Sequence, residues 1–370
     1  MRRLGPPGVE ALLPWRGVAV KRAEAWDMLK PYIARLLERT DLSERESEDA
    51  MSLIVSGQAT DAQIAGFLVA LRMKGETVAE ITGCARAMRA AVTQVSAGSA
   101  DAVDTCGTGG DTSGTFNVST AAALVAAGAG VPIAKHGNRS VSSASGSADV
   151  LQTLGVNIEA PCEVVEECIR RAGIGFLFAP MLHPAMKHAI GPRRQLGVRT
   201  VFNVLGPLTN PAGVRRQLLG IYSHELVPII AGVLRNLGAE KAMVVHSADG
   251  LDEISVCDET LVAELDAGEI RTWRLRPEEV SIERAKVGEL LVHSPDESAA
   301  VIRSVLAGHQ GPQRNMVILN AGAAIYVGGR AGSLREGIEL AADSIDSGRA
   351  AQALSALIEL TNRERASTTS

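Results

Sequence analysis

From residue 102 onward the chain alternates short apolar runs with stretches of helical period, and this alternation restricts the fold more than any other feature. The apolar runs are Ala102–Cys106, Val131–Ala134, Ile174–Phe178, Leu218–Tyr222 and Lys241–His246. Helical patterns lie between them, among them Val118–Ala127, Glu163–Ala172 and Glu225–Leu237. A strand that is apolar along its length is buried on both faces, as in a parallel sheet covered by helices. Leu261–Leu275 reads differently, as two strands around Asp266–Gly268, and predicts an antiparallel appendage. Helical patterns return from Asp296.

Upstream of the sheet the pattern is helical only. Residues 25–92 read as four short helices, three of them opening on capping boxes: Ser43 with Glu46, Thr60 with Gln63, Thr77 with Glu80. Gly57 and Gly75 stand where two of these helices should stop. The expected fold class is α/β, with a small all-helical domain and a large domain holding a mostly parallel central sheet. The expected divisions are an irregular leader at 1–24, the helical domain at 25–96 and the α/β domain at 101–370. Helices at about 184–205 are placed to pack on the small domain.

Composition narrows the function. Lys and Arg total 37 against 42 Asp and Glu, so the net charge of −5 argues against a nucleic-acid-binding surface. Aromatics are only 3%, too few for base-stacking platforms. The cysteines (84, 106, 162, 168 and 257) are odd in number and form no CxxC, so buried reduced thiols are expected. The longest apolar stretch, Ala121 to Ala134, is shorter than the ~20 residues a bilayer needs and should be a buried helix followed by a strand. Arg2 and Arg3 precede Gly- and Pro-containing sequence without an apolar signal core, so a cytoplasmic protein is expected.

Three strand-end segments carry the chemistry. The first is Asp104-Thr-Cys-Gly107-Thr-Gly109-Gly110-Asp111, followed by Asn117-Val-Ser119-Thr120 at the start of an Ala-rich helix. Glycines at this density turn the backbone amides toward one spot, and the helix adds its positive end, which suits phosphate or pyrophosphate. An ordinary glycine turn would account for this loop by itself. Neither dinucleotide-binding nor P-loop spacing is present. The second segment, Lys135-His136-Gly137-Asn138-Arg139, ends the next strand and brings two cations and an amide. Ser140, Ser142, Ser143, Ser145 and Ser147 follow it. The third is Gly250-Leu251-Asp252-Glu253, whose adjacent carboxylates suit a hard cation, Mg2+ where phosphates are present.

In this order the segments resemble the anthranilate phosphoribosyltransferase family. The matching residues are Gly107–Asp111, Asn117–Thr120, Lys135–Arg139, Phe178–Pro180, His183–His188, Gly206–Pro211 and Gly250–Glu253, and the likeness covers the chain from about Ala25 onward. The resemblance implies a homodimeric, Mg2+-dependent enzyme that moves the phosphoribosyl group of phosphoribosyl pyrophosphate onto the amine of anthranilate. It implies that Gly107, Gly110, Asp111, Thr115, Asn117, Val118, Ser119 and Thr120 bind phosphoribosyl pyrophosphate. Lys135, His136, Gly137, Asn138, Arg139, Ser140, Val141, Ser142, Ser143 and Ser147 complete that set. Ser119, Asp252 and Glu253 take the metal positions, and Gly107, Asn138 and Arg193 the anthranilate positions. A guanidinium at 193 also makes independent sense, since it can pair bidentately with an aromatic carboxylate.

The implied reaction needs no nucleophilic side chain, and no residue is assigned as acid or base. Five positions depart from the family pattern: Thr112, Ala144, Leu182 and the Gly191-Pro192 pair, where proline should bend or restart the helix carrying Arg193. Two alternatives compete with this reading. A pyrimidine-nucleoside phosphorylase would carry Lys-His-Ser-Thr-Gly-Gly where this chain has Lys135-His-Gly-Asn-Arg139. A nucleic-acid-binding paralogue would want a basic groove.

Overall fold

The computed structural model describes residues 28–109, 114–140 and 145–367. The expected leader lies outside these residues, as do Gly110, Asp111, Thr112, Val141, Ser142, Ser143 and Ala144.

Four helices open the described chain: α1 (Lys30–Leu37), α2 (Glu44–Val55), α3 (Asp61–Lys74) and α4 (Val78–Ala90). All three expected capping boxes are present, at Ser43, Thr60 and Thr77. Gly75 closes α3 with φ +92°, a conformation a side chain would resist. Glu80 does more than cap α4. Buried, it accepts the Leu42 and Thr77 amides at 3.0 and 2.9 Å and the Lys74 ammonium at 2.9 Å. Its carboxylate thereby joins α3, α4 and the turn before α2.

The large domain alternates β1 (Val103–Gly107), α5 (Val118–Gly128), β2 (Ile133–Gly137), α6 (Ser147–Leu154), α7 (Cys162–Ala172) and β3 (Ile174–Phe178). Short helices α8 (Ala179–Leu182), α9 (Lys187–Leu196) and α10 (Phe202–Leu205) lead to β4 (Arg216–Gly220), α11 (Leu226–Asn236) and β5 (Lys241–Ser247). An antiparallel pair, β6 (Thr260–Asp266) and β7 (Glu269–Leu275), follows as expected. The chain then runs through α12 (Pro295–Leu306), α13 (Pro312–Val327), α14 (Leu334–Asp346) and α15 (Arg349–Ser367). The strand order is β3-β2-β1-β4-β5-β6-β7, with the first five parallel.

Two strands start or end away from their apolar runs. β4 begins at Arg216, and Gln217 is buried because its amide donates to the Pro207 carbonyl at 2.7 Å. β2 extends to Gly137 through Lys135 and His136, both buried. Polar residues with designated partners thus hide strand ends from a reading of apolar runs alone.

Helices cover both faces of the sheet. Alanine-rich α5 is buried along Val118–Ala127 and shares its core cluster with α13, α14 and α15. The opposite face, with Leu219, Val244 and Ala263, joins α11 and the small domain in a second core. That core also takes in Ala189, Phe202 and Leu205, so α9 and α10 pack with the small-domain helices. All five cysteines are free thiols. Among the described residues, no helix is long and apolar enough to cross a membrane.

Candidate active site

Between β1 and β4 the chain switches the direction in which it builds the sheet, and a crevice opens beyond the strands' carboxyl ends. Gly107 ends β1, Gly220 ends β4, and the two are register partners. Asp252 rests on both. A Cβ on Gly220 would collide with the Asp252 carbonyl oxygen, and one on Gly107 with its Oδ2. The missing side chains create the seat. Asp252 Oδ2 also accepts the Gly109 amide at 2.8 Å, which ties the entrance of the glycine-rich loop to the carboxylate.

The start of α5 is sorted amide by amide. Asn117 Oδ1 accepts the Thr120 amide at 3.0 Å, its Nδ2 donates to the Ser145 carbonyl at 3.1 Å, and the Ala121 amide returns to the Asn117 carbonyl. The Asn117 amide goes to Ser298 Oγ at 2.9 Å. Val118 and Ser119 thus keep the helix-start amides that have no intrahelical acceptor, and both residues line the crevice. Such a terminus attracts anions.

The cavity measures about 570 Å³ and collects most of the expected residues. Gly107, Thr115, Asn117, Val118, Ser119, His136, Gly137, Asn138, Arg139, Ser140, Ser147, Arg193, Asp252 and Glu253 all line it. Lys135 and Thr120 lie behind this wall instead of on it. The Lys135 ammonium is buried and donates to the Thr105 carbonyl at 2.5 Å and to Ser119 Oγ at 3.1 Å. Burial pushes its pKa down against the pull of Asp104, and pushes the Asp104 carboxyl up. Arg139 faces the cavity but also pairs with Asp149 at 2.8 Å, whose other oxygen accepts the Ser140 amide.

The opposite wall is made of short helical pieces. His136 Nε2 and His183 Nε2 lie 3.1 Å apart, and the His136 ring also bonds the Gly206 carbonyl. Burial lowers the two pKa values to about 3 and about 4, and the repulsion two protonated rings would feel lowers His136 further, so both rings are neutral near pH 7. The Gly206–Pro211 segment thus has a visible task. Gly206 orients His136, and Asn210 Nδ2 bonds the Ala134 carbonyl of β2 at 2.9 Å. Arg193 extends over the Phe202 ring at 4.9 Å, and burial lowers its pKa. Pro192 does not restart the helix: α9 runs unbroken through it, with its ring buried and the His188 carbonyl denied its intrahelical donor.

Two adjacent carboxylates and a serine hydroxyl offer hard oxygen donors, and the glycine seat fixes one of them, so the residues fit Mg2+. Among the described residues, no group of three or more His, Cys, Asp or Glu could form a complete protein cage. Mg2+ commonly takes few protein ligands and fills its shell with water and phosphate oxygens.

The helical unit and the α/β unit of the chain match the two domains of one glycosyl transferase family. Its helical bundle domain matches residues 30–92 and its a/b domain matches residues 99–351. Anthranilate phosphoribosyltransferase of Thioalkalivibrio sulfidiphilus is 55% identical over 329 residues, 89% of this chain and 97% of its own. That of Acetivibrio thermocellus is 51% identical over 335 residues, 90% and 97% of the two chains. The Thermus thermophilus enzyme structure matches with a TM-score of 0.85 at 44% identity, over 89% of this chain and 99% of that one. The Saccharomyces cerevisiae enzyme in complex with PRPP and Mg matches with a TM-score of 0.82 at 31% identity, over 90% and 98%. The chain belongs to the anthranilate phosphoribosyltransferase family.

Proposed function

We propose that the protein transfers the phosphoribosyl group of phosphoribosyl pyrophosphate to the amine of anthranilate, giving N-(5-phosphoribosyl)anthranilate and pyrophosphate, in tryptophan biosynthesis in the cytoplasm. The observation that carries this reading is one crevice with two chemically distinct walls. The α5 start and Asp252–Glu253 form a phosphate and cation wall, and Arg193 over Phe202 lines the same crevice. Yeast relatives bound to PRPP and Mg and to 4-fluoroanthranilate support the same pair of substrates.

In this reading Val118 and Ser119 donate amides to the pyrophosphate, with Gly107, Thr115, Asn117 and the Asn138–Ser140 turn around it. Lys135 holds Ser119 Oγ from behind. Asp252, Glu253 and Ser119 would hold Mg2+, which when bound neutralises charge building on the departing pyrophosphate. Arg193 pairs with the anthranilate carboxylate, while Gly107 and Asn138 bound the space for its ring. The amine nitrogen forms its bond to ribose C1 as the C1–O bond breaks, the electron pair leaves on pyrophosphate, and the proton the amine gives up passes to solvent. Positioning and charge lower the barrier, and no covalent intermediate with the chain is required.

We place the domain division near residues 96–101, and a homodimer fits the exposed Leu37 and Met73 on α1 and α3, which pack together. Sedimentation checks the oligomer. The activity test mixes protein, phosphoribosyl pyrophosphate, Mg2+ and anthranilate and follows anthranilate fluorescence. Loss that requires every component supports the reading, and none under any condition sinks it.

A further inference from the structure

The exit of the glycine-rich loop is held by a segment of the chain that no sequence motif singles out. The Val292 amide donates to the Gly114 carbonyl at 2.8 Å, and the Phe116 amide donates to the Leu290 carbonyl at 3.1 Å. Thr115 and Leu291 form an antiparallel bridge between these bonds. One turn into α12, the fully buried Ser298 Oγ accepts the Asn117 amide. Three consecutive hydrogen bonds therefore pin residues 114–117 to residues 290–298. None of residues 290–298 lines the crevice.

The Ser298 bond carries a specific consequence. Asn117 is the N-cap of α5, and its side chain already spans the Thr120 amide and the Ser145 carbonyl, joining α5 to the loop before α6. Its backbone amide would otherwise be another donor facing whatever binds at the helix start. With that amide engaged by Ser298, the cap orientation is set and Val118 and Ser119 present the available amides at a fixed angle. Pre-organised donors bind an anion without the cost of ordering the loop exit at the moment of binding.

We propose that Ser298 is a positioning residue for pyrophosphate recognition: its hydroxyl anchors the Asn117 amide and so aims the Val118 and Ser119 amides into the crevice. This rests on the phosphoribosyl-transfer reading for its substrate, but its test does not need turnover. Ser298→Ala removes the acceptor without adding bulk. Ser344→Ala is the matched control, because Ser344 is equally buried and its hydroxyl donates to the Val125 carbonyl near the far end of the same helix, at 2.8 Å. In steady-state kinetics, Ser298→Ala should raise KM for phosphoribosyl pyrophosphate about five- to tenfold, the size expected for one lost hydrogen bond. Its kcat and its KM for anthranilate should stay within twofold. Ser344→Ala should lower the melting temperature comparably and leave both KM values unchanged.

Calorimetric titration with magnesium pyrophosphate gives a second readout, and Ser298→Ala should weaken binding by the same factor. An unchanged affinity, or an equal loss in Ser344→Ala, overturns the assignment. If the wild-type protein binds magnesium pyrophosphate but shows no transferase activity, the functional reading falls while the titration still decides the role of Ser298.

Discussion

The two walls of the crevice are made in different ways. The phosphate wall is sheet-borne: Gly107, Gly220 and the α5 start sit at ends of adjacent parallel strands, and backbone atoms supply much of its chemistry. The acceptor wall is built from side chains, with Arg193, Phe202 and His183 on α9, α10 and the turn after α8 meeting His136 at the end of β2. The first wall is held by register and ladder bonds, the second by packing against the small domain. A rigid wall suits a charged leaving group whose partners must be in place beforehand, and side chains suit selection of a flat aromatic acid.

If this division holds, substitutions should separate the two substrates. The largest effect is expected for Asp252→Ala with Glu253→Ala, which should lower kcat/KM by about a thousandfold or more by removing the cation's carboxylates. Undiminished turnover at limiting Mg2+ would break the comparison on its phosphate side. Gly220→Ala touches no substrate but drives a methyl into the Asp252 carbonyl. It should cost about ten- to a hundredfold in the Mg2+ dependence of activity while the far-ultraviolet spectrum stays native. Arg193→Ala should raise KM for anthranilate about ten- to a hundredfold, as for a lost charge-assisted pair, with KM for phosphoribosyl pyrophosphate nearly constant. Equal rises in both would mean the walls are not independent.

Acidity provides a gentler test of the acceptor wall. His136 and His183 have folded pKa values lowered to about 3 and about 4, well below the unfolded value near 6.5. Their contribution to stability is therefore complete above about pH 6.5 and is lost as pH falls toward 4 and 3, because the unfolded chain binds the protons first. The melting temperature should decline from pH 7 to pH 5, and His183→Gln should flatten that decline. A decline of the same slope in the variant would remove the pair from the explanation. The smallest effect is expected far from both walls. Thr60→Ala deletes the α3 cap and should cost about 1 kcal/mol with all kinetic constants unchanged.

The phosphate wall could largely be read from the sequence, and the acceptor wall much less. Capping boxes, the antiparallel pair after β5 and the loops at 107–109 and 135–140 are local patterns, and each sits where its spacing implied. Lys135 was readable as a cation near the loop, but its burial behind Ser119 depends on Thr105, which belongs to another strand. Gly220 looks like any strand-end glycine until β4 is paired with β1 beneath Asp252. The bond from His136 to Gly206 is hidden for the same reason: its partners meet only after the sheet and the helical turns have packed. Pro192 shows the opposite case, where a strong local rule yields to packing that buries the ring inside a continuous α9.

The hold of residues 290–298 on residues 114–117 also sets an order of events during synthesis. The glycine-rich loop leaves the ribosome early, between the first and second strands, yet its exit is fastened by chain made 174 to 181 residues later. Contacts so distant in sequence form late and slowly. A nascent chain halted before residue 290 would carry the strands of the central sheet and an unfinished anion site. Binding of magnesium pyrophosphate by halted chains should therefore strengthen several-fold once α12 has emerged, so the growing polypeptide reaches its full affinity only when it is nearly whole.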